Sequence, residues 1–167
     1  DDDEPASEVE ALQPSFSFFV TSVGSGEDGG DLGGLAGADA TCEQLAEAAQ
    51  PGAEGRTWRA YLSTEDENAR DRIGDGPWYN VNDELIAQDL ASLLSPDPVF
   101  NGAPNLIVDE NGMNAPGPEH DILTGSNAMG MLMLKDDGTP DNCDNWTSSS
   151  EALTAFVGHS DIPGNPM

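Results

Sequence analysis

The first apolar cluster, Phe16-Ser17-Phe18-Phe19-Val20-Thr21-Ser22-Val23, is dense in aromatic and β-branched residues and predicts a strand. A Gly- and Asp-rich loop from Gly24 to Gly34 follows. Between Ala38 and Ala49, the residues Cys42, Leu45, Ala46 and Ala49 recur at the spacing of one helix face, and Gln50-Pro51-Gly52 ends that helix. Thr57 to Ser63 alternates large and small side chains and predicts a core strand. A short helix is expected over 68–73, and Trp78-Tyr79 comes after a Gly-Asp-Gly-Pro turn. Leu85, Ile86, Leu90, Leu93 and Leu94 suggest one apolar face of a helix over 82–94. Residues 95–121 hold five prolines and read mostly as loop, with short strands expected at 106–108, 122–124, 131–134 and 155–157. No internal repeat is visible. An early helix, short strands and a long irregular second half predict a mixed α+β domain rather than a doubly wound sheet.

Composition narrows this picture. The 167 residues accommodate one ordinary domain and a short tail, and 19 glycines with 12 prolines disfavour a helical bundle. Residues 1–14 are acidic, carry two prolines and lack apolar periodicity, so they read as a disordered leader or tether ahead of a domain over 15–167. With 32 acidic against 5 basic side chains, the formal net charge of −27 excludes nonspecific nucleic-acid binding as a default and disfavours anionic lipid surfaces. A solvated acidic surface is the ordinary reading; docking on a basic partner or collecting divalent cations is the sharper one. No apolar run reaches the roughly 18 residues of a membrane-spanning helix. The opening Asp1-Asp2-Asp3-Glu4-Pro5 suggests a processed terminus and leaves room for a lipid anchor upstream of residue 1.

Several segments resemble bacterial extracellular proteins with C-type-lectin-like domains, related in pattern to endostatin. They are Phe18-Phe19-Val20-Thr21-Ser22-Val23-Gly24, the stretch from Leu32 to Cys42, Arg56 to Thr64, and Ala69 to Asn80. His120 to Ser126, Cys143 to Ser149 and Val157 to Asp161 complete the series. The resemblance covers residues 16–161 in order and implies a C-type-lectin-like, endostatin-like fold with long loops and short antiparallel strands. It also implies a closing strand and further cysteines beyond Met167, so the domain is expected to lack its C-terminal strand here. The location implied is extracellular, cell-surface or periplasmic, and the role noncatalytic: a recognition module or accessory subunit for a protein partner, or a glycan-binding lectin. Fold does not itself imply function.

The residues that could carry chemistry are few. Two cysteines in a secreted domain ordinarily pair, and a bridge between Cys42 and Cys143 would close a loop of about 100 residues worth about 4.7 kcal/mol. The resemblance instead implies that each is a disulfide-type cysteine with a partner beyond Met167. His120 and His159 are the only imidazoles; neither lies in a known nucleophile or zinc motif, and a loop-bonding role is expected for both. Calcium needs six to eight oxygens. Asp136, Asp137, Asp141 and Asp144, with Asn142 and Asn145, have that density, as do Glu27, Asp28 and Asp31. Neither cluster follows the EF-hand spacing, and the lectin calcium motifs are missing, so a solvated acidic loop is the expected reading and calcium, the one cofactor to test, is the alternative. Trp58 reads as core, whereas Trp78, Tyr79, Asn145 and Trp146 are the candidates for stacking on or bonding to a ligand. Arg56, Arg59, Arg70 and Arg72 are expected to make internal ion pairs that fix loops.

Overall fold

The computed structural model describes residues 15–95, 106–114 and 121–159. Within them the chain is α+β: one long helix, several single-turn helices and two small antiparallel sheets. Helix α1 spans Gly34–Ala49, α2 Ala69–Arg72 and α3 Leu90–Leu93. Strands β1 (Trp78–Tyr79) and β2 (Leu85–Ala87) form one antiparallel pair. Strands β3 (Asp121–Leu123) and β4 (Val157–His159) form the other, with Ile122 opposite Gly158.

Helix α1 has the predicted C-terminus but starts four residues earlier than its apolar pattern. Ala38 and Ala46 are its buried residues, and Cys42 packs between two parts of the core. One part gathers Phe16, Ala46, Ala53, Trp58, Val81 and Val108, with Phe19 against it. The rings of Phe16 and Phe19 lie 5.0 and 5.2 Å from that of Trp58, within the range of favourable aromatic pairs. The second part holds Ala38, Ala60, Leu62 and Trp146, and the third Trp78, Ile86, Ala87 and Leu93.

Two predicted strands become extended segments without a ladder. Phe16 and Val20 each make a single parallel bridge, to Tyr79 and Asp109. The 57–63 segment does bury Trp58, Ala60 and Leu62 alternately, as its pattern requires. Its amides, however, go elsewhere: Ala60 N donates to Asp39 Oδ1 (2.8 Å) and Ser63 N to Thr124 O (3.0 Å). The helix expected over 82–94 is a correction. Asn80 Oδ1 accepts from the amides of Asn82 and Glu84, and Asp83 adopts φ +63°, so the chain reverses into the β1–β2 hairpin. Only after Asp89 caps the Ser92 amide does a single helical turn, α3, form. The leader over 1–14 and His120 lie outside the described residues.

Cys42 and Cys143 are free thiols, so no bridge joins them. Burial pushes the Cys42 thiol up to about 11, with Asp39 adding to the shift and Arg72 opposing it. The unfolded thiol loses its proton near pH 9.0 and the folded one near 11, so stability falls as pH rises through that window. The expected loss is about 2 kcal/mol. Tyr61, raised by burial to about 12, contributes with the same sign at still higher pH. Urea titrations of the native chain and Cys42→Ala on both sides of the window check this: the variant should show a shallower alkaline decline. Parallel declines would contradict it.

Candidate functional site

The second half of the domain is organised around a buried polar hub. Ser63, Ser126 and Asn142 have no exposed surface and Thr124 almost none. The Ser63 and Ser126 hydroxyls are 2.8 Å apart, Ser126 Oγ donates to Thr124 O (2.9 Å), and Ala69 N donates to Ser63 Oγ (2.9 Å). Ser63 O accepts from both Asn142 Nδ2 (3.3 Å) and Trp146 Nε1 (3.0 Å). Buried polar groups linked in this way specify one arrangement of the loops they join.

Two loops radiate from the hub. The first is a single left-handed turn, Cys143–Trp146, whose four residues have φ between +50° and +66°. Asn142 caps it by accepting from Asn145 N (3.0 Å), and Asn145 grips the opposite loop through Glu65: its Oδ1 accepts from Glu65 N and its Nδ2 donates to Glu65 Oε2, both at 2.9 Å. The turn therefore carries backbone strain that these bonds and the burial of Trp146 offset.

The second loop runs over 127–134. Asn127 Oδ1 accepts from the amides of Met129 (2.9 Å) and Met131 (3.2 Å), and Asn127 N donates to Met131 O (2.8 Å). Helix α2 and the turn before it hold the loop from outside. Arg70 N donates to Gly130 O (3.1 Å), Arg70 Nη1 to Met129 O (3.2 Å), and Leu132 N to Asn68 Oδ1 (2.9 Å). On this fixed backbone Met129 and Met131 are 51% and 42% exposed, and Leu134 nearby is also exposed.

The candidate ligand residues are dispersed. Trp78 is buried among Ile86, Ala87 and Leu93, and Trp146 is wholly buried in a different part of the core. Neither ring offers a free face for stacking. Tyr79 is half-buried on β1 and bonded through its backbone to Ser17 and Phe18, while Asn145 is engaged with Glu65.

The acidic cluster has local tasks. Asp137 Oδ1 accepts from the hydroxyl (2.6 Å) and amide (3.0 Å) of Thr139, and those bonds hold its carboxyl below the usual range. Asp141 meets Lys135 at 3.7 Å and accepts from the Thr154 hydroxyl. Asp136 and Asp144 are exposed, and the Asp144 carbonyl accepts from Thr147 Oγ1 (2.7 Å). In the other acidic loop, Asp31 Oδ1 accepts from Gly33 N (3.1 Å). Among the described residues no group of three or more His, Cys, Asp or Glu side chains is placed to hold a metal ion.

The arginines behave as expected where ion pairs form. Arg72, with a side chain 5% exposed, meets Asp39 and Glu67 at 2.7 Å each, and Arg59 meets Asp39 at 3.2 Å. Arg56 and Arg70 also donate to backbone carbonyls, those of Phe16 and Met129. His159 Nδ1 lies 2.8 Å from Asp121 Oδ1 across the β3–β4 pair.

Sequence reasoning missed the exposed methionines because the 131–134 segment reads as a strand. The signal available was Asn127 three residues before Gly130, a turn pattern. No helix among the described residues is long and apolar enough to cross a membrane. Compared with known proteins, the chain matches no family model and no curated protein.

Proposed function

We propose that this domain is a noncatalytic extracellular or periplasmic recognition module, or an accessory subunit, that binds a protein partner through loops on a C-type-lectin-like, endostatin-like scaffold. The early helix, the short antiparallel pairs and the long hydrogen-bonded loops support that scaffold. The observation that carries the function is the 127–134 loop. Water-exposed methionines on a backbone held by Asn127 within the loop and by Asn68 and Arg70 beside it are an ordered apolar surface, and such surfaces mark interaction sites. Trp78 and Trp146, the rings a sugar would need, are buried instead, which favours a protein over a glycan.

Two measurements test the reading together. A photo-reactive side chain is placed singly at Met131, Glu65, Glu43 or Glu151, and the protein is exposed to its native extracytoplasmic surroundings. A discrete protein adduct confined to neighbouring positions is expected. In parallel, a glycan array is run with calcium and with a chelator, and no retention is expected. Chelator-sensitive glycan binding would replace the proposal with a calcium-assisted lectin.

A further inference from the structure

We infer that Met129 and Met131 are the apolar centre of a docking surface for a basic amphipathic helix of the partner protein, a deepening of the recognition reading that rests on it. Methionine is unbranched and polarisable, and exposed methionines suit a surface that adapts to aliphatic side chains. Here their backbone is already ordered, so binding need not also order this loop.

The charge around the loop selects the partner. The bond from Leu132 N to Asn68 and that from Arg70 N to Gly130 O set the loop beside the 65–71 segment, where Glu65, Asp66, Glu67 and Asp71 are exposed. Two and three residues beyond Leu134, Asp136 and Asp137 are exposed as well. Of the cations in these segments, Arg72 is paired with Asp39 and Glu67 and Lys135 faces Asp141, while Arg70 bonds the Met129 carbonyl and keeps its charge, outnumbered by the carboxylates on either side. An apolar centre with acidic flanks complements a helix bearing an aliphatic stripe between rows of Lys or Arg. A net charge of −27 adds long-range attraction for the same partner and repels acidic ones.

The probe is a labelled amphipathic helical peptide of leucine and lysine, followed by fluorescence anisotropy. Its control is a scrambled peptide of identical composition with no apolar stripe. Binding should weaken with added salt, and Met129→Gln/Met131→Gln should weaken it about tenfold. Both side chains are exposed, so the double variant is expected to fold; its circular dichroism and urea midpoint verify that. In spectra of methyl-labelled methionine, the Met129 and Met131 signals should shift on peptide addition while Met113 stays fixed. Equal affinity for the scrambled peptide, or an unaltered affinity in the double variant, would reduce the effect to bulk acidity and overturn the inference. Absence of binding by the native chain would also overturn it. A partner cross-linked through a different face would leave the recognition reading standing without this surface.

Discussion

Alanine in place of Trp146 is expected to destabilise the domain by about 4 kcal/mol, the range of a large aromatic deleted from a packed core. Trp146 has no exposed surface, packs with Ala38, Ala60 and Leu62, and donates from Nε1 to Ser63 O. The surroundings cannot easily collapse into the vacated space. Gly125, at φ +57°, faces the ring so closely that an added Cβ would stand 2.7 Å from Trp146 Cζ2. Trp146 is also the backbone anchor of the loop before α1, since Leu32 N donates to its carbonyl (2.9 Å). Equilibrium urea unfolding measures the loss. Trp146→Phe should fall between the native chain and the alanine variant, because it keeps most of the apolar area and loses the Nε1 bond. A midpoint unmoved by Trp146→Ala would place the ring outside the core and restore it as a ligand candidate.

Arg72→Met should cost about 3 kcal/mol, the effect of removing one partner from a buried ion pair. The guanidinium joins three pieces of chain that share no ladder: Asp39 on α1, Glu67 before α2, and the carbonyl of Ala60 (3.3 Å) in the extended core segment. Without it, Asp39 keeps the Ala60 amide and the more exposed Arg59 but loses its buried counter-charge. Adding Asp39→Asn to Arg72→Met should therefore recover part of the loss, since the amide oxygen still accepts from Ala60 N. Unfolding free energies of the two single variants and the pair give the coupling directly. Additive losses would show that the two groups are not energetically linked. Because α2 also carries Arg70, which grips the Met129 carbonyl, the Arg72 variant should loosen the methionine loop before the whole domain unfolds.

Which parts were legible in the sequence follows from where the backbone hydrogen bonds go. Helix α1 is satisfied from within, so its apolar spacing and the Pro51-Gly52 stop were enough. The alternation over 57–63 placed that segment in the core, where Trp58, Ala60 and Leu62 are buried, but alternation reports burial and says nothing of a neighbouring strand. The 82–94 segment misled because its leucines suit a helix face, while the deciding groups were the Asn80 carboxamide and the Asp83 backbone. At the site the same limit applies. Tryptophan in a loop-rich region is equally compatible with a ligand platform and with a core, and only the partners of Nε1 and of Gly125 separate the two for Trp146. The methionines escaped notice because a chain reading treats an apolar residue as interior, and their exposure depends on a loop folded on Asn127 and held by Asn68 and Arg70, about 60 residues earlier in the chain.

The shortness of the paired strands has a consequence for behaviour at high concentration. Sheet proteins with long open edges present rows of unpaired amides and carbonyls, and they guard them with lysines, prolines or bulges against stacking of one copy on the next. Here β1–β2 and β3–β4 are two or three residues long, and many neighbouring amides are occupied by Asn, Asp, Ser and Thr side chains. Among the described residues a second copy finds no strand longer than three residues to extend. Concentrated salt would screen the mutual repulsion of the acidic surface, and these short described strands would still offer little edge for one copy to add to another. Among the described residues it is the shortness of the strands, and not the acidity, that blunts the open edges.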